Sequence, residues 1–161
     1  MKNILQYILK ITLIIPCIIC SANFANAQAK NAIGLGAGLN TSGKGAGFGA
    51  ILQGEVKLNN SISINPSLGI ETPYIAYVGA TGRYYLSDEV YGSLGGFAHI
   101  GGIDDPSISP GGTAGIGFIV LATNHHVVDL NFHVDYFESD NERLTLAGLR
   151  LTYNFSFTKL K

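Results

Sequence analysis

The feature that most constrains this chain is a two-residue alternation of apolar with polar or small side chains, renewed over eight segments between residues 32 and 157. Successive residues of an extended strand point to opposite faces, so this period calls for β-structure with one apolar face. Glycine argues against helices independently. It supplies 21 of 161 residues, spread through nearly every segment, and each one inside a helix costs about 1 kcal/mol relative to alanine.

The strands are expected at 32–40, 47–58, 61–71, 74–86, 90–100, 112–121, 127–137 and 143–157. The seventh is the clearest: Val128, Leu130, Phe132, Val134 and Tyr136 oppose Asp129, Asn131, His133 and Asp135. In the first, Ile33, Leu35, Ala37 and Leu39 oppose a row of glycines. In the sixth, Ala114, Ile116, Phe118 and Val120 oppose Thr113, Gly115, Gly117, Ile119 and Leu121, a face that is not polar. Pro66 lies inside the third strand and predicts a bulge or a locally weak pairing, because proline cannot donate to a ladder. The connections 40–46, 71–74, 101–111 and 138–142 fall at one end and 59–61, 87–89 and 122–126 at the other. The longest, 101–111, carries Asp104-Asp105-Pro106 and Pro110.

Eight such strands with short turns read as an all-β, eight-stranded antiparallel up-and-down barrel. Two barrels share this alternation. A water-soluble lipocalin-like barrel would point the apolar face inward around a small apolar ligand. A transmembrane β-barrel would point it outward at lipid. The charges decide for the second. Glu55, Lys57, Glu71, Arg83, Asp129, Asp135 and Arg150 all lie on the face opposite the apolar one, where they are expected to pair and fill a narrow lumen. Tyr77, Tyr85, Tyr91 and Phe97 are expected to fill the room left there by the glycine rows. The apolar-face aromatics gather at strand ends, Phe48, Tyr74 and Tyr136 at one and Tyr84, Tyr153, Phe155 and Phe157 at the other, as two interfacial girdles would.

Residues 1–27 read as a cleaved signal peptide. Lys2 and Lys10 precede and flank the apolar run 11–20, and Ala25-Asn26-Ala27 offers a cleavage site. A retained anchor is the weaker reading, since the run falls short of the ~20 residues that span a bilayer. A lipoprotein site at Cys20 is disfavoured by Ile19. Cleavage would leave residues 28–161 as one barrel domain without Cys17 and Cys20, hence without disulfides. That domain has 8 Lys+Arg against 11 Asp+Glu, an acidic balance unsuited to nucleic acid.

Residues 82–86 (Gly-Arg-Tyr-Tyr-Leu) before a polar turn, and 148–155 (Gly-Leu-Arg-Leu-Thr-Tyr-Asn-Phe) in the last strand, resemble the small eight-stranded outer-membrane β-barrel family of Gram-negative bacteria, the opacity-type and porin-like group. The resemblance implies an outer-membrane location, lipid as the surrounding partner, insertion by the barrel assembly machinery, a monomer, and a structural or surface-interaction role. The family typically ends on an aromatic residue, whereas here Phe157 is followed by Thr158 to Lys161.

No catalytic, cofactor or metal residue is expected. His125, His126, Asp129 and His133 invite a metal site, but the first two sit in a turn on opposite sides, and His133 is about 13 Å along the strand from Asp129 at ~3.3 Å per residue. His99, Asp104, Asp105, Ser107 and Ser109 could carry a lipid-modifying activity only if folding brought them into hydrogen-bond contact. The His-x-Ser pair of the family's lipid A deacylases is not matched by His133-Val134-Asp135. Gly34-x-Gly36-x-Gly38 lacks the spacing of a phosphate loop.

Overall fold

The computed structural model describes residues 30–43, 45–71, 75–101, 107–139 and 142–158. They form eight strands: β1 (Ala32–Ser42), β2 (Gly45–Lys57), β3 (Ile62–Glu71), β4 (Ile75–Tyr85), β5 (Val90–Gly101), β6 (Ser107–Ala122), β7 (His126–Ser139) and β8 (Glu142–Ser156). Each pairs antiparallel with the next, and β1 pairs with β8 from Ala32↔Ser156 to Thr41↔Ala147, closing an up-and-down barrel. Among the described residues every strand has a neighbour on both sides, so closure removes the free edge strands of an open sheet.

The alternation sorts the two faces. Leu35, Leu39, Leu94, Ile108 and Leu151 stand exposed on the outside. Gln53, Glu55, Asn65, Arg83, Asp129, Asn131 and Asn154 are buried inside. This inverts a water-soluble core and removes the premise of a lipocalin-like barrel, which needs its apolar face inward.

Both ends of the barrel segment, Ala32 and Ser156, lie at the end of the tight turns, called here the proximal end. In the β2–β3 turn, Asn59 Oδ1 accepts from the Ser61 and Ile62 amides at 2.8 and 2.9 Å. In the β4–β5 turn, Ser87 Oγ accepts from the Glu89 and Val90 amides. At the distal end the β1–β2 ladder runs out to Ser42↔Gly45. Gly45 adopts φ 139°, a conformation that side chains disfavour.

Two details depart from the sequence reading, and a third decides between alternatives it left open. The expected 101–111 loop is overrun from both sides, because Gly101 ends β5 and Ser107–Gly111 extends β6 and pairs with β5; residues 102–106 lie outside the described residues. Pro110 is tolerated there because Ser107–Pro110 have no β7 partner among the described residues, so its missing N–H costs no ladder bond on that side. Leu121 was expected to face inward with Ile119. A bulge between Ile119 and Leu121 turns it outward beside Val120. Pro66 weakens pairing without a bulge: the β2–β3 register is unchanged on either side, but Gly54 and Glu55 have no β3 partner and pair only with β1. Asn65 Nδ2 instead donates to the Gly54 carbonyl at 2.6 Å.

Inward glycines make room for large side chains opposite. A Cβ on Gly117 would fall inside the Tyr91 ring, which is itself fully buried. Gly117→Ala is therefore expected to lower stability by about 1–3 kcal/mol through overpacking. Gly92→Ala, on the outer face with open space around it, should stay within about 0.5 kcal/mol. Urea unfolding of the refolded protein in detergent compares the two.

Candidate functional site within the lumen

Two charged clusters occupy the lumen. In the proximal one, Glu55 on β2 gathers four donors or cations. Arg83 Nη1 donates to Glu55 Oε2 at 3.3 Å, Tyr85 donates to Oε1 at 2.5 Å, and Ser63 donates to Oε1 at 2.9 Å. Lys30, just before β1, sets its Nζ 3.5 Å from Oε2. Arg83 also faces Asp129 at 3.6 Å and donates to Gln53 at 3.3 Å. Gln53 donates to Asn154, which donates to Asp129, both at 2.8 Å. Tyr91 donates to Asp129 at 2.9 Å, and its ring lies 4.5 Å from the Arg83 guanidinium. The result is a closed circuit across the lumen that ties β2, β4 and β8 to β7. Tyr85, Tyr91, Ile119 and Val127 pack against it as an apolar cluster.

The distal cluster joins β3, β7 and β8. Arg150 Nη2 donates to Glu71 Oε1 at 3.3 Å and lies 3.5 Å from His133 Nε2. His133 Nε2 is 4.0 Å from Glu71 Oε1 and 3.7 Å from Asp135 Oδ2. Beyond it Phe137, Leu144 and Leu146 are buried, with Phe97 packed against them. Parity would have placed these leucines inside, but their apolar character disguised them.

The structure brings Glu55, Arg83 and Asp129 together, and separately Glu71, Asp135 and Arg150. Lys57 joins neither. It is the last residue of β2 and is exposed at the proximal rim, because the strand ends there and the lumen gives way to solvent. Lys30, which precedes the first strand, stands beside Glu55 instead. Of the aromatics, Phe48 and Tyr136 are exposed outward near the distal end, and Tyr84, Tyr153, Phe155 and Phe157 near the proximal end. Tyr74 lies outside the described residues. Phe118 and Phe132 also face outward, edge to face with centroids 6.3 Å apart; Phe132 sits midway along β7, so outward aromatics are not confined to the ends.

The histidines divide similarly. His125 and His126 stay at the β6–β7 turn, where they pack against Phe155 and Tyr153, and Asp129 belongs to the proximal cluster. His99 and Ser109 are cross-strand partners. His99 is buried inside the barrel with its ring 4.6 Å from that of Phe137, so the pair faces the lumen, not the apolar exterior where a lipid would lie. Asp104 and Asp105 lie outside the described residues, as does the side chain of Ser107.

Between the clusters lies a cavity of about 50 Å³ bordered by Arg83, Asn131, Thr152, Asp135, Glu71 and Arg150. Pockets for organic ligands run to roughly 300–1,000 Å³ and are mostly apolar. This one has room for a few waters only, and its walls mix these polar groups with Tyr77, Phe97 and Phe137.

No protein-family model matches the chain, and no curated protein matches it in sequence. Solved structures do. Neisserial surface protein A (NspA) matches with a TM-score of 0.56 at 14% identity, over 81% of this chain and 99% of that one. A de novo designed transmembrane β-barrel matches with a TM-score of 0.52 at 12% identity, again over 81% and 99%. At these identities the likeness is one of fold.

Proposed function

We propose that the protein is a small integral outer-membrane β-barrel whose lumen is closed by its own side chains, and whose role is structural or exercised through its short distal connections. The observation that carries this reading is the inversion of polarity: leucines and isoleucines ring the outside while ion-paired Glu55, Arg83 and Asp129 are buried within. Such a surface is costly in water and favourable in lipid. The expected leader at 1–27, the girdle positions and the likeness in fold to a neisserial surface protein support the same location. The surrounding partner is outer-membrane lipid, reached through the barrel assembly machinery, and the chain acts as a monomer without cofactor chemistry. Two filled levels, one of Tyr85, Tyr91 and the Arg83 circuit, the other of Phe97, Phe137 and Leu146, support closure against solutes. The inward placement of His99 and Ser109 speaks against a lipid-modifying activity.

Expression with fractionation tests this. The protein is expected in the outer-membrane pellet, resistant to carbonate extraction, and to change gel mobility on boiling. Recovery in the soluble fraction without detergent would overturn the proposal.

A further inference from the structure

We propose that Glu71, His133 and Asp135 form a binding site for one divalent transition-metal ion in the distal half of the lumen. One ligand atom from each, a ring nitrogen and two carboxylate oxygens, lie within 4.8 Å of one another. Around a zinc-like ion such atoms stand about 3.4 Å apart at ligand distances near 2.1 Å, so side-chain rotation alone closes the gap. His133 and Asp135 are two residues apart on one strand and share its inward face, while Glu71 reaches them from β3 across the lumen.

Charge gives an independent reason. The proximal cluster is balanced, Lys30 and Arg83 against Glu55 and Asp129. The distal cluster sets Arg150 alone against Glu71 and Asp135, leaving one negative charge in excess among the described residues. Buried charge requires compensation. Asp135 adds a second sign. It is buried, and its Oδ1 has no hydrogen-bond partner although it borders the cavity. An orphaned carboxylate oxygen beside an imidazole is a ligand atom in waiting. The Glu71 and Arg150 side chains keep 14% and 18% of their exposure and border the cavity, which leaves room beside the site for a single small ion.

Arg150 sets the terms of binding. Its Nη2 lies close to both Glu71 Oε1 and His133 Nε2, the position a cation would take. It serves as an internal competitor that must swing into the adjoining cavity when a metal enters. One nitrogen and two carboxylates suit zinc, manganese or cobalt, whereas calcium needs six to eight oxygens.

The test titrates the purified protein in detergent with Co²⁺ alone and follows visible d–d absorption, with Zn²⁺ calorimetry for stoichiometry. One ion per chain is expected. Glu71→Gln and Asp135→Asn should each weaken it by about tenfold or more. Arg150→Gln should tighten it, because the competing guanidinium is gone, and neither a misfolded barrel nor scattered surface sites would give that result. Heat-modifiable mobility confirms that each variant is folded. The proposal is overturned by the absence of stoichiometric binding in both the unaltered protein and Arg150→Gln, or by binding that is the same in Glu71→Gln and Asp135→Asn.

Discussion

Replacing Arg83 by methionine destabilises the barrel by about 3–5 kcal/mol, the range for breaking a buried ion pair by removing one partner. Arg83 is buried and is the shared counter-ion of Glu55 and Asp129, at 3.3 and 3.6 Å. Its loss also removes the donor to Gln53, which opens the circuit through Asn154 to Asp129. Lys30 remains for Glu55, but Asp129 keeps only the neutral donors Tyr91 and Asn154. Methionine fills similar volume, so the loss reports charge and not a cavity. Neutralising both acids in the same background, as Glu55→Gln with Asp129→Asn, should recover most of the stability, since uncompensated charge carries the cost. Urea unfolding in detergent, read by tyrosine fluorescence or unboiled gel mobility, provides the comparison. A loss below about 1 kcal/mol, the range of exposed pairs, would mean that the lumen is wet at this level.

The barrel was legible in the sequence because its two faces differ so strongly. Leu35, Leu94 and Val134 could only be placed together, and Glu55, Arg83 and Asp129 only opposite them. Pairing partners were not legible. Which inward charge meets which depends on the stagger of strands around the barrel, and Glu71 is far from His133 and Arg150 in sequence. Parity also fails where strand regularity fails. Leu121 turned outward because of a bulge, and Lys57 reached water because its strand ends. The distal connection around Pro110 misled for a specific reason: a proline next to serines and glycines has the composition of a turn, yet where only one side of a strand is paired it costs the sheet nothing. Lys30 gave no signal because it precedes the periodic segment.

The second large effect concerns the outer face. Leu94 sits near the middle of β5, is 71% exposed, and is flanked on neighbouring strands by Gly82 and Ala114. In a bilayer, Leu94→Arg should cost about 2–4 kcal/mol, the penalty for an arginine facing lipid at the midplane. No acidic side chain stands directly opposite to pair with the guanidinium, and the outward aromatic nearest along the ladder is the diagonal Tyr84. Leu86→Arg, in the β4–β5 turn at the proximal rim, should cost no more than about 1 kcal/mol. In a water-soluble barrel both changes would stay within about 0.5 kcal/mol, as exposed substitutions do. Equilibrium unfolding in lipid vesicles measures the difference, and the depth dependence separates a lipid effect from a general intolerance of arginine.

The most direct test of the outward apolar face asks what touches Leu94. Residues 28–161 contain no cysteine, so a single cysteine at Leu94, and separately at Asp88 in the β4–β5 turn, carries one fluorophore at a known site. The labelled protein is refolded into vesicles and quenched either by nitroxides on the lipid acyl chains or by aqueous iodide. The label at 94 should be quenched by the acyl-chain nitroxide and shielded from iodide, and the label at 88 should show the reverse. Quenching of the 94 label by iodide, with no response to the lipid nitroxide, would contradict the account and place the apolar face in water.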